Sequence, residues 1–264
     1  MKVLVIGATG GIGRQLLSRL RADGHEVRGL HRKPEQPVGI AEAGAVPVSG
    51  DIVGMTVDDF TRAAEGCEVL VFSAGAAGSG SKRTTATDGD APAKVVAAAE
   101  RLGIRRLCLV SACPEAGRQH ARTPGFEHYM AEKKRADVAV AASGLDRVIP
   151  RPGTLVHEGG EGRGSPGLAV PCGWVARGTV ARVLAGRVGL PGIRREILDL
   201  THGVTPVAAA LDAVARGEGR TPVAWGIHEP CSCRKQGPRA FQSYARALCH
   251  GRTVRGRAPG ATNG

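Results

Sequence analysis

Tyr129 and Lys133, in the stretch Tyr129-Met130-Ala131-Glu132-Lys133, are the pair whose types and spacing most suggest chemistry. On a helix, residues four apart share a face, with about 6 Å between their Cβ atoms. An ammonium so placed favours the phenolate and draws a tyrosine pKa down from about 10, giving a proton donor and acceptor near neutral pH. Lysine on that face can also bind a nicotinamide ribose. Ser111 follows the apolar run Leu107-Cys108-Leu109-Val110 and brings a hydroxyl able to orient a carbonyl oxygen. Near the start of the chain, Gly7-Ala8-Thr9-Gly10-Gly11-Ile12-Gly13 lies between Val3-Leu4-Val5-Ile6 and the helix-like stretch Arg14 to Leu20. A glycine triplet flanked by strand and helix in that order signals a dinucleotide site. Gly7 turns the chain off the strand, Gly10 lets the backbone approach a pyrophosphate, and Gly13 lets the helix pack on the sheet. The free N–H groups and positive end of that helix then face the phosphates.

Cofactor choice is read about 20 residues past the glycines, where an acidic residue holds a ribose 2′-hydroxyl. This chain has Leu30-His31-Arg32-Lys33 there and no carboxylate. A guanidinium attracts a 2′-phosphate that an acid would repel, so NADP(H) is expected in preference to NAD(H), with Arg32 as its chief partner.

Positioning these residues takes an alternation of strands and helices, and residues 1 to about 150 supply it. Strands are expected at 2–6, 26–30, 46–48, 68–72, 106–110 and 146–149, with Pro47 marking the third as imperfect or at an edge. Helices are expected at about 11–22, 57–65, 88–102 and 125–142, and residues 75–84 as a loop. The result is an α/β, doubly wound parallel sheet, the Rossmann fold, with ligands at the carboxyl ends of its strands. Beyond Arg151 the pattern thins. Residues 158–164 are too glycine-rich to be other than loop. A helix at about 177–187, a strand at 196–200 and a helix at about 205–215 suggest a small C-terminal substrate cap from about 153, within one unit of 1–216. The remainder, 217–264, mixes Gly, Pro, Arg and Cys without an apolar face and is expected to be disordered.

Composition bounds the rest. With 264 residues, 42% hydrophobic and 23% charged, the chain can bury a full core,. Aromatics make up only 3%, so that core must be aliphatic. Half of the net charge of +12 falls in 217–264, which holds eight basic residues against Glu218 and Glu229. The remaining charge is scattered and needs no polyanionic partner, so a small-molecule substrate is expected and nucleic acid is not. No apolar stretch approaches the roughly 18 residues that cross a bilayer. Met1-Lys2 leads straight into a strand, with no room for a signal peptide, and the cytoplasm is the expected compartment. The seven cysteines are then expected as inert thiols,. Cys231, Cys233, Cys249 and His250 do not match structural zinc spacings, so no metal is expected. His157-Glu158 reads as loop.

Taken together, the chain resembles the short-chain dehydrogenases/reductases, in the atypical branch of NAD(P)H-binding, biliverdin/flavin-reductase-like proteins. The resemblance rests on the glycine turn, Gly50-Asp51, Asp88-Gly89-Asp90, Val110-Ser111, Tyr129 with Lys133, and Arg151-Pro152-Gly153, and it spans about 1–216. By that likeness Asp51 and Ile52 border an adenine, Ser73-Ala74-Gly75 run along the cofactor, and Pro152 borders the nicotinamide. Asp88 and Asp90 are expected to cap and orient the following helix. The likeness implies hydride transfer to a carbonyl or a conjugated, flavin-like acceptor, with Tyr129, Lys133 and Ser111 as the catalytic set. The alternative it carries is a protein that senses NADP(H) without turnover.

Overall fold

Strands buried on both faces read as unbroken apolar runs, and β1 (Lys2–Ile6) shows why. Its Val3 and Val5 enter one apolar layer, while Leu4 and Ile6 enter the other. The computed structural model describes residues 1–118, 123–157, 162–167, 170–189 and 192–217. After β1 come α1 (Gly13–Ala22), β2 (Glu26–His31), α2 (Pro37–Glu42), β3 (Val46–Ser49), α3 (Val57–Ala64) and β4 (Val69–Phe72). Next is one long helical segment. It starts as α4 (Ser81–Thr84), passes through a π-helical turn (Thr85–Asp90) and continues as α5 (Ala91–Arg101). β5 (Arg106–Leu109), α6 (Pro124–Ala142) and β6 (Asp146–Pro152) complete the alternating part. The rest comprises β7 (Thr154–Val156), β8 (Arg163–Gly167), β9 (Trp174–Ala176), α7 (Arg177–Gly189), β10 (Glu196–Pro206) and α8 (Val207–Ala215).

The main sheet runs β3-β2-β1-β4-β5-β6-β10-β8, parallel throughout except for β8, which pairs antiparallel with β10. Val46-Pro47-Val48 does form an edge strand. From β1 the chain winds outward to β2 and β3, then returns to β4 beside β1 and winds the other way. That reversal leaves a crevice at the carboxyl ends of β1 and β4, the place where doubly wound sheets take their ligands. Residues of α1, α2, α7 and α8 share one apolar layer, and those of α3, α5 and α6 share the other.

The segment expected as a C-terminal cap is laid directly on this frame. β10 runs parallel to β6, with Leu198 opposite Pro150 and Asp199 opposite Arg151. α7 packs along α1. β7 and β9 form a separate two-stranded parallel sheet.

Two expectations need correction, and one short helix was not foreseen. Residues 81–84, expected in a loop, already form helix; the π turn after them disrupts the 3.6-residue period by which a helix is recognised. Arg163 and Gly164, expected in a loop, begin β8, because β10 offers them a backbone partner that composition cannot show. Helix α2 has only six residues, too few for a legible period. The expectation for 217–264 lies outside the described residues apart from Gly217. So do Cys231, Cys233, Cys249, His250 and Glu158. Among the described residues no helix is long and apolar enough to cross a membrane, and no group of three or more His, Cys, Asp or Glu could hold a metal.

One core residue runs against type. Arg187 of α7 is fully buried, and its three guanidinium nitrogens have no hydrogen-bond partner among the described residues. Burial lowers its pKa to about 10.

Candidate functional site

The glycine turn is built for close contact. Gly7 has φ +91°, a left-handed backbone, and a Cβ there would stand 2.6 Å from the Ala74 nitrogen,. A Cβ on Gly13 would collide with the Gly7 carbonyl oxygen, so the first turn of α1 lies directly against the strand exit. Around them the loop is tied by Gly10 N–H to the Gly7 carbonyl at 3.0 Å and by Arg14 Nε to the Thr9 carbonyl at 2.9 Å. α1 has no side-chain cap and no acidic residue in its first turn. Arg14 N–H donates to the Gly10 carbonyl at 3.0 Å, so it is the remaining N–H groups of the first turn that suit an anion.

Above this turn opens a cleft at the carboxyl ends of β1, β2 and β4. Of the residues expected to bind cofactor, Gly7, Thr9, Gly10, Arg32, Asp51, Ile52, Ser73, Ala74 and Gly75 line it together. Gly11 is exposed beside the cleft, Ile12 is buried in the core, and Gly13 packs behind the turn. Pro152 is buried at the end of β6, its carbonyl accepting from Cys113 N–H at 2.9 Å.

Arg32 is exposed, and its backbone is held by its neighbour. Gln36 Oε1 accepts from the N–H groups of Arg32 at 3.1 Å and Lys33 at 2.9 Å, folding the β2 exit. Among the described residues no carboxylate pairs with the Arg32 guanidinium. Across the cleft, Arg83 reaches to 3.4 Å from Asp51 Oδ1. Arg83, Thr87, Gln36 and His31 are lining residues that the motifs did not reveal. Arg83 and Thr87 come from the α4–π–α5 segment, whose start the sequence hides.

Tyr129, Lys133 and Ser111 are not among the residues that line the cleft; Lys133 lies between Tyr129 and the end of β5, which Ser111 follows. Tyr129 is half-buried, and the Lys133 ammonium lies 5.8 Å from its ring centre. Lys133 itself is sealed from solvent. Its Nζ stands 3.1 Å from Asp88 Oδ1 and donates to the Val110 carbonyl at 3.1 Å. Asp88, fully buried, also accepts from Ala76 N–H at 2.9 Å. The ion pair therefore underpins the loop that follows β4. The expectation that Asp88 and Asp90 cap the next helix is corrected here: no side chain caps α5, and Asp90 pairs instead with Arg135 of α6 at 2.7 Å.

Ser111 is only 4% exposed. Its hydroxyl and Asp137 Oδ1 are both buried without a well-aligned bond, yet they lie close enough to interact. Asp137 Oδ2 accepts from Arg151 Nε at 2.8 Å. Burial raises the Asp137 pKa, and Ser111, Arg151 and Lys133 oppose the rise. Burial also raises that of Asp199, opposite Arg151 on β10. Nearby, the Cys172 thiol donates to Cys113 and holds it below the usual thiol range, while Cys172 is pushed above it. Cys67, Cys108 and Cys113 are buried and Cys172 is exposed.

The chemistry of this cleft is that of a dinucleotide site: a glycine cradle, an uncapped helix and a guanidinium at the end of β2. The family described as NAD(P)H-binding matches residues 7–188. The chain belongs to that family. With it comes the general activity of an NAD(P)-dependent oxidoreductase. This NAD(P)H-binding protein is 36% identical over 213 residues to the uncharacterized sugar epimerase YhfK of Bacillus subtilis, covering 80% of the chain and 99% of the relative. It is 31% identical over 239 residues to a 3-diazoavenalumate denitrifying reductase of a Streptomyces species, covering 81% of the chain and 72% of the relative. Among solved structures, it resembles a putative NAD-dependent epimerase/dehydratase from Bacillus halodurans. The TM-score is 0.73 and the identity 30%, over 80% of this chain and 99% of that one.

Proposed function

We propose that this protein is an NADPH-dependent reductase of a small carbonyl compound or a conjugated, flavin-like acceptor, with Tyr129 as the proton donor. The observation that carries the cofactor choice is Arg32, which lines the cleft with its backbone held by Gln36 and its guanidinium without a carboxylate partner among the described residues. When bound, the nicotinamide supplies the hydride. The chain's own part is to orient, to exclude water and to move a proton.

In this reading Tyr129 delivers the proton to the acceptor oxygen or to a conjugated atom. Lys133 acts from beneath the ring, through its charge and through the Asp88 pair that shapes the loop at Ala76. Ser111 is a positioning residue, acting through Asp137 and Arg151 at the end of β6. The substrate side is supplied by the segment from 153 onward. There Trp174 and His202 stack with ring centres 4.2 Å apart, a flat surface beside Thr154 that suits a planar acceptor,.

The test is NADPH oxidation by the full-length chain against a panel of carbonyl and conjugated acceptors. Tyr129→Phe should lower turnover by about 10²–10⁴-fold, the usual worth of a positioned acid. Full turnover in that variant sinks the assignment. Stoichiometric NADPH consumption separates a reductase from an epimerase, which regenerates its cofactor in each cycle.

A further inference from the structure

Two helices begin side by side at the cofactor end of the sheet. α1 starts at the glycine turn and α7 packs along it. The first residue of α7, Arg177, turns back over that glycine turn. A Cβ on Gly11 would meet Arg177 Cδ at 2.7 Å and Nε at 3.1 Å, so the side chain lies on the outer face of Gly11. The guanidinium also donates to the Leu155 carbonyl at 3.4 Å. Gly11 is exposed, and only a residue without a side chain leaves room for this approach.

A guanidinium is always charged and offers five donors in a planar fork, which matches phosphate oxygens. Here it borders the uncapped N-terminus of α1, where the backbone supplies donors but no full charge,. We propose that Arg177 is the cationic partner of the cofactor's pyrophosphate, brought by the C-terminal segment across the glycine turn. The inference rests on the dinucleotide reading of the cleft and goes beyond it. Arg32 serves the 2′-phosphate that only NADPH carries, whereas Arg177 serves the bridge common to NADPH and NADH.

That division sets the experiment. Calorimetric titration of the full-length protein with NADPH, NADH and 2′-AMP is compared across parent, Arg177→Met and Arg32→Met, with melting temperatures recorded alongside. Arg177→Met should weaken NADPH and NADH alike by about tenfold or more, the usual worth of a charge-assisted contact. It should leave 2′-AMP within twofold of parent and flatten the salt dependence of NADPH binding. Arg32→Met should weaken NADPH and 2′-AMP and spare NADH. The proposal is overturned if Arg177→Met melts with the parent yet binds NADPH within twofold of it. It is equally overturned if 2′-AMP is lost to the same extent. Should Arg177→Met not fold, Arg177→Gln, shorter and uncharged but still carrying an N–H donor, takes its place, and the same selective loss is required of it. A parent protein that binds neither dinucleotide would instead sink the cofactor reading itself.

Discussion

At the scale of single residues, Lys133 owes its place to Asp88 and not to the open cleft. An ion pair with both members buried is costly to break from one side, because the survivor is left charged and alone. Lys133→Met should therefore destabilise the fold by about 3–5 kcal/mol, whereas Tyr129→Phe should cost roughly 1 kcal/mol or less, as most single changes do. Urea denaturation of the two variants checks this; a Lys133→Met protein as stable as the parent would contradict the sealed pair. Asp137 offers a pH signature. Burial raises its folded pKa, so above about pH 4, the ordinary carboxylate range, the native state holds a proton that the unfolded chain has released,. Stability from this group is thus greatest at low pH and is lost as pH rises through the folded pKa. The unfolding free energy of the parent minus that of Asp137→Asn should fall as pH rises above about 4 through the folded pKa,, and a difference that rises would refute the assignment. The Tyr129–Lys133 spacing was legible because helical periodicity is local. That the ammonium turns inward was not, since its anion sits on a different helical segment.

Among the elements, those with a strong period were readable and those made by long-range pairing were not. Val3-Leu4-Val5-Ile6 and Val69-Leu70-Val71-Phe72 announce buried strands by themselves. Thr154–Val156 and Trp174–Ala176 have three residues each and exist only because they pair with each other. The α4–π–α5 segment shows a subtler loss. Its π turn carries Thr87 to the cleft and Asp88 to Lys133, and the irregular turn that puts them there also hid the start of the helix. In α7, Arg187 stands in a layer otherwise made of Val, Leu and Ala. A buried charge with no hydrogen-bond partner among the described residues is a burden on the fold,. Arg187→Met should raise stability by about 1–4 kcal/mol, in line with apolar replacement of buried ions. A calorimetric melt lower than the parent's would show that the guanidinium has a use that its surroundings do not reveal.

For the molecule as a whole, the alternation of strand and helix foretold the parallel sheet and its crevice, because each crossover follows from local sequence. The place of β10 beside β6 could not be foreseen, since nothing in Glu196-Ile197-Leu198-Asp199-Leu200 names its neighbour. That pairing sets Asp199 opposite Arg151 and completes the buried polar group behind the site. Among the described residues it also leaves β8 as the outermost strand on that side, as β3 is on the other. Each of these two border strands contains a proline, Pro47 in β3 and Pro166 in β8. A proline has no N–H to offer a newcomer, so both rims are poor templates for stacking one copy upon another. Growth into ribbons or fibres through the ends of the described sheet is thereby discouraged.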